Sequence, residues 1–166
     1  MSLGIDYGYL QVQMVELEKT ESGYSLKKAG SKSVMNDLQT YDPEKINNSH
    51  WTATIQDLCK SLKINPRRYK NIVSSLLGNN VSIKQLTTLE MSKEELAASL
   101  EFEAKKHIPL DGTEGIMDYH ILGNDPRELD KINVLLVATT KNNVNQHNEI
   151  LKSAGFKTGI FDADPV

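Results

Sequence analysis

Within about ten residues of Val81 the chain changes its side-chain period, and that change is the tightest constraint on what it can fold into. Val81, Ile83 and Gln85 alternate, Leu86 and Leu89 follow, and the segment reads as a strand. Ser92-Lys-Glu-Glu95 comes next and has the form of a capping box. The Ser side chain accepts from a free N–H of the first turn, and the Glu three residues on reaches back. Leu96, Leu100, Ala104 and Ile108 then lie on one helical stripe until Pro109 stops it. Ile116 to Leu122 and Ile132 to Thr139 read as two more strands, joined by a polar loop with Gly123, Asn124, Asp125 and Pro126. A βαββ unit over 80–139 follows, which neither an all-helical nor an all-strand fold accommodates.

The flanks have a different order. Leu3 to Tyr7 is a short buried strand punctuated by Gly8. Leu10 to Glu18 follows, with Leu10, Val12, Met14 and Leu17 only roughly in phase; Val15 breaks the alternation, which suggests burial on both faces. Ser22-Gly23 is a hairpin turn, and Tyr24 to Ala29 is the return strand. Asp42-Pro43 is a helix start. Trp51, Ile55, Leu58 and Leu62 carry the helical spacing, and the polar run Asn47 to His50 leaves a later start open. Tyr69 to Leu77 is expected as a fourth strand, Lys141 to Ala154 as a last helix with Val144, His147 and Leu151 inward and Gly155 as its C-cap, and Phe156 to Phe161 as a final strand. The outer pieces, 1–79 and 140–166, read as one α/β layer that the middle unit interrupts.

Several function classes are excluded early. The 166 residues carry a formal charge of -3, which gives neither a nucleic-acid footprint nor a polybasic membrane anchor. The longest apolar run, Val134 to Ala138, is far short of the roughly 20 residues that span a bilayer. No metal-ligand spacing is present, and the single Cys59 cannot form an internal disulfide, which fits a reducing, cytoplasmic setting.

Four later segments and the opening carry a resemblance. "GID-G" with "VQMVEL" resembles the first strand pair of the actin-like ATPase fold. "EMSKEELAASLEFEAKKHIPL", "MDYHILG", "INVLLVATTK" and "LKSAGFKTGIFDAD" follow in an order similar to the PilM family of type IV pilus assembly, with "FEAKKHIPL" the most specific. The resemblance implies a ribonuclease-H-like, actin-like first subdomain with an inserted FtsA-like βαββ subdomain. It also implies a missing second lobe, so that the chain is expected to be a fragment.

What the resemblance implies about function is a binding module. The family's partner is the short cytoplasmic tail of the inner-membrane protein PilN, seated in a groove where the inserted subdomain joins the first, with other pilus assembly proteins nearby at the inner face of the membrane. Leu86, Leu89, Phe102, Ile108 and Pro109 are the residues expected to contact it. The alternatives are a nucleotide-hydrolysing actin-like ATPase, an FtsA-like division scaffold and a type II secretion scaffold. In the ATPase fold a strand delivers an Asp toward metal-bound phosphates, and a Gly brings backbone N–H groups close to them. Asp6 and Gly8 fit that scheme; Tyr9, Leu10 and Gln11 depart from the small polar residues expected at the tip. Asp6, Gly8, Tyr9 and Gln11 are thus the weak nucleotide candidates, ATP with Mg belongs to the full-length protein, and neither cofactor nor turnover is expected of this stretch alone. No catalytic residue is assigned. Glu101 and Glu103 face different directions on a helix, His107 suits the helix dipole, Asp57 and Cys59 lack partners for a nucleophile–base pair, and Asp162 and Asp164 read as loop residues.

Overall fold

The computed structural model describes residues 1–35, 42–70, 72–107, 114–157 and 159–164. The chain divides into two compact units. One comprises Met1–Leu77 and Gln146–Asp164, and the other Gly78–Asn145.

The first unit is built on a five-stranded sheet. Its strands are β1 (Ser2–Tyr7), β2 (Gln11–Thr20), β3 (Gly23–Ser33), β4 (Ile72–Leu76) and β8 (Ile160–Ala163), in the order β3-β2-β1-β4-β8. β1, β2 and β3 are antiparallel neighbours, whereas β1 pairs β4 and β4 pairs β8 in parallel. Parallel neighbours need long crossovers, and helix α1 (Asn48–Ser61) lies in the first of them. Leu3, Ile5, Tyr7, Val12 and Met14 point to one face. Trp51, Ile55 and Leu58 of α1 and Ile150 and Leu151 of α3 (Lys141–Ser153) cover that face. The opposite face carries Gly4, Val15, Val73 and Ile160 in one row across the strands, because directly paired residues share a face.

The second unit is smaller. β5 (Val81–Leu89), β7 (Lys131–Thr140) and β6 (Gly115–Asn124) form an antiparallel sheet in that order. Helix α2 (Lys93–Ala104) lays Leu96, Leu100 and Ala104 on Ile132, Val134, Leu136 and Ala138 of the central strand. The expected capping box is present: Ser92 Oγ accepts from the Glu95 N–H at 3.3 Å, and Glu95 Oε2 accepts from the Ser92 N–H at 3.1 Å.

Five sequence expectations change. The Asp42-Pro43 signal opens only a 3-10 turn, Pro43–Lys45, while α1 starts later, where Asn47 and His50 make a reciprocal capping box. The fourth strand is shorter than expected, because Asn65 caps a second 3-10 turn at Pro66–Arg68 before Ile72 enters the sheet. Phe156 is buried beneath the α3 C-terminus and is not in a strand; Gly155 there takes φ +99, which ends the helix. β2 is buried on one face only: Val15 is 37% exposed. Its broken phase comes from a bulge between Glu16 and Leu17, together with the inward placement of a carboxylate at Glu16. Finally, α2 ends at Ala104, and Ile108 and Pro109 lie outside the described residues.

Glu16 can be buried because it is compensated. The Tyr69 hydroxyl donates to Oε1 at 2.8 Å, and Lys28 Nζ lies 3.2 Å from Oε2. Burial favours the neutral acid, but those two groups outweigh it and hold the carboxyl below its ordinary range.

Candidate functional site

Alternation along β1 sends Tyr7 into the core and Asp6 to the opposite face, where Ser75 Oγ donates to Asp6 Oδ1 at 2.6 Å. Gly8, Tyr9 and Leu10 then close the tip of the β1–β2 hairpin. The Gly8 N–H donates to the Gln11 carbonyl at 2.9 Å, and the Leu10 carbonyl accepts from the Val34 N–H at 2.9 Å. The Gly8 carbonyl accepts the Trp51 indole N–H at 3.0 Å. Both backbone groups of Gly8 are thereby engaged within the protein. The Tyr9 ring lies tilted against Trp51, with centroids 6.0 Å apart.

That geometry tests the phosphate scheme. A phosphate cradle needs N–H groups aimed outward and a backbone that only glycine lets approach. The Gly8 N–H is spent in its own turn. A Cβ there would meet nothing nearer than the Gln11 carbonyl at 3.8 Å, an ordinary contact. Gly8 itself therefore offers no free N–H to a phosphate. Among the described residues, no group of three or more His, Cys, Asp or Glu side chains is placed to hold a metal.

Beside the tip lies an open cleft of about 650 Å³ between Tyr9, Trp51 and the start of α1. Several of its polar groups are paired within the protein. Asn47 Oδ1 accepts from the Ser49 N–H at 3.1 Å, and Gln146 Nε2 donates to Asn48 Oδ1 at 2.9 Å. These bonds cap and brace α1.

Beneath the hairpin is a buried polar network that sequence reading did not assemble. The Tyr7 hydroxyl lies 2.6 Å from His147 Nδ1, and His147 Nε2 lies 3.0 Å from Ser74 Oγ. Phe161 meets the imidazole edge-on at 4.8 Å. Burial pushes His147 down to about 4 and Tyr7 upward, so at neutral pH the imidazole is uncharged, with one nitrogen donating and the other accepting. A Ser–His contact has the form of a nucleophile and its base. Ser74 is 1% exposed, however, and no substrate reaches it. The available signal was His147 on the inward stripe of α3, since a buried imidazole must have partners.

Among the described residues, the expected partner contacts Leu86, Leu89 and Phe102 do not form one patch. Leu86 pairs with Val134 on the face covered by α2 and packs partly into that core. Leu89 lies on the opposite face and is exposed. Phe102 is 69% exposed on the outer side of α2, with Lys106 Nζ 5.3 Å from its ring centroid. The remaining candidates have structural partners. Glu101 pairs with Lys105, and Glu103 with Lys106 and His107. Asp57 pairs with Lys32 and Lys60. Cys59 is buried, which pushes its thiol up to about 11, away from nucleophilic reactivity. Asp162 Oδ1 accepts from the Ala163 N–H, and the Asp164 N–H donates to Leu76.

A mixed sheet with its helices on one face, interrupted in sequence by a βαββ unit, defines an α/β chain with an inserted subdomain. Residues 4–165 match the model of a narrower family, type IV pilus assembly protein PilM, and the chain belongs to that family. Two solved structures share the fold. A chain of a PilM–PilN type IV pilus biogenesis complex matches with a TM-score of 0.74 at 21% identity, over 99% of this chain and 47% of that one. The cytoplasmic domain of EpsL, an inner membrane component of the type II secretion system of Vibrio cholerae, matches with a TM-score of 0.54 at 11% identity, over 96% of this chain and 56% of that one. This chain therefore spans about half the length of these relatives. No helix among the described residues is long and apolar enough to cross a membrane.

Proposed function

We propose that this chain is a scaffold module of type IV pilus assembly that docks an extended tail of a PilN-like inner-membrane protein. It works at the inner face of the inner membrane, held there by partners. The observation that carries this reading is a closed hairpin tip in a member of the PilM family: the Gly8 N–H is bonded to Gln11, and Tyr9 rests on Trp51. A chain with that tip is suited to binding rather than to phosphate transfer. ATP with Mg is left to the full-length protein, whose second half supplies whatever opposing donors a nucleotide clamp requires.

Phe102 is the proposed anchor, because a large exposed aromatic ring with a cation above it suits a desolvating contact. Leu89 joins it as a proposed contact, as do Ile108 and Pro109; Leu86 supports the sheet beneath. A tail that is disordered when free would order on docking. Calorimetric titration with the cytoplasmic N-terminal peptide of the PilN-like protein tests the proposal. The wild-type chain is expected to bind, and Phe102→Asp to weaken binding by more than roughly tenfold while its unfolding midpoint stays unchanged. No binding by the wild type rejects the tail, and unchanged affinity of Phe102→Asp rejects the anchor. Turnover of ATP that Asp6→Ala abolishes would replace the reading with a nucleotide hydrolase.

A further inference from the structure

An unpaired strand edge is a template for another strand, and proteins blunt such edges with lysines, prolines or shortness. Among the described residues, three of the four sheet edges follow that practice. β3 carries Lys27, Lys28 and Lys32, β5 carries Lys84, and β8 has only 4 residues. β6 does not. It runs for 10 residues, GIMDYHILGN, at the edge of its sheet with no Lys, Arg or Pro, and Ile116, Ile121 and Leu122 are exposed along it.

The direction of its free peptide groups can be read from one contact. The Tyr119 N–H donates to the carboxylate of its own neighbour Asp118 at 2.8 Å, so at this position the N–H turns away from β7. Alternation then turns the peptide groups of Met117 and Ile121 outward as well. The side chains sort by register with β7. Met117 and Tyr119 lie on the face under α2, opposite Ala138 and Leu136, whereas Ile116, Asp118 and His120 lie on the other face.

We infer that β6 pairs with β6 of a second copy of this chain, antiparallel, about a two-fold axis at Tyr119. In that register Tyr119 meets Tyr119 of the copy as a hydrogen-bonded pair, exchanging N–H and C=O groups that both point outward. Met117 meets Ile121, apolar against apolar. On the other face Asp118 meets His120 twice by symmetry, a carboxylate acceptor facing an imidazole N–H donor across the closer, non-hydrogen-bonded pairs. Each copy's Asp118 gives up the Tyr119 N–H, which the partner strand's carbonyl then takes. Two three-stranded sheets become one of six, with both α2 helices on one face. The arrangement leaves neither edge lysines nor like charges opposed. That self-complementarity commits the occupant to a second copy rather than an unrelated strand.

Sedimentation of the whole chain across a concentration series tests this. The wild type is expected to show a reversible monomer–dimer equilibrium. His120→Asp places Asp opposite Asp twice and is expected to weaken the dimer by roughly tenfold or more. The exchanged double variant, Asp118→His with His120→Asp, restores a carboxylate facing an imidazole in the same register and is expected to recover the dimer. Lys84→Glu, on the other edge, is expected to leave it unchanged. All three changes are at exposed strand positions, and far-UV circular dichroism checks that each variant folds. A wild type that stays monomeric through the millimolar range overturns the inference. So does a dimer indifferent to His120→Asp, or one that the exchanged pair does not restore.

Discussion

The two units solve the same packing problem with different materials. The smaller one is dry: its central strand offers Ile132, Val134, Leu136 and Ala138 to Leu96, Leu100 and Ala104, with no ionisable group among them. The larger one buries Glu16, His147, Tyr7, Tyr69 and Ser74 among its apolar side chains. A dry core depends on volume and shape, and is nearly indifferent to pH. A core with buried ionisable groups depends on partners and protonation as well. The single Trp51 lies in the larger unit, so its fluorescence follows that unit alone, while circular dichroism follows both.

The largest expected effect breaks the dry core. Leu136 is fully buried under α2, and Leu136→Ala is expected to cost about 2–5 kcal/mol in the smaller unit. Urea unfolding followed by circular dichroism should then split into two transitions, the earlier one silent in Trp51 fluorescence. A fluorescence midpoint that moves as far as the dichroism midpoint would show that the two cores do not melt separately.

Acid should act on the other side of the comparison. His147 titrates near 4 in the folded chain, against an ordinary value of 6.5. Between those values the unfolded chain holds the extra proton. Stability from this group is therefore complete above 6.5 and is lost as pH falls toward 4, about 3 kcal/mol in all. Glu16, held below the carboxylate range, adds its loss only at lower pH. Urea midpoints by Trp51 fluorescence should fall through the first window. The transition of the smaller unit should hold nearly constant there.

How much of this was readable beforehand depends on the range of the chemistry. The β5 strand and the Ser92–Glu95 capping box were legible because alternation and capping are settled within a few residues. The α1 start stayed open between two positions because two local signals competed. Asp42 does cap, accepting from the Glu44 N–H at 3.1 Å, but only a single 3-10 turn follows. The partners of His147 were out of reach, since Tyr7 is 140 residues away and Ser74 is 73. A buried Glu16 gave no signal either, because its compensation comes from Tyr69, 53 positions later. At the candidate contact site the separation of Leu86 from Leu89 was available in principle. Residues three apart on a strand face opposite ways, so the two leucines belong to different faces of the sheet.

A smaller loss is expected where the buried charge is deprived of one partner. Tyr69→Phe removes the hydroxyl that donates to Glu16 Oε1 and leaves the carboxylate with Lys28. The cost is about 1–3 kcal/mol at neutral pH, read by Trp51 fluorescence. It should shrink once acid protonates Glu16, since a neutral carboxyl needs the donor less. An undiminished difference between mutant and wild type at low pH would mean that the tyrosine contributes packing rather than its hydroxyl.

The smallest change returns to the dry unit. Ser92→Ala deletes the N-cap of α2, whose hydroxyl serves the Glu95 N–H, and leaves the apolar stripe of the helix intact. Capping losses of this type run to about 1 kcal/mol. The same deletion in the larger unit, Asn47→Ala, removes the acceptor for the Ser49 N–H at the start of α1 and should cost a similar amount. The two variants differ in where the loss is seen. Ser92→Ala should lower only the transition silent in fluorescence, and Asn47→Ala only the transition that Trp51 reports. Equal shifts of both transitions by either variant would mean that the units unfold together, and the contrast between a dry core and one with buried ionisable groups would then describe two ends of one cooperative body.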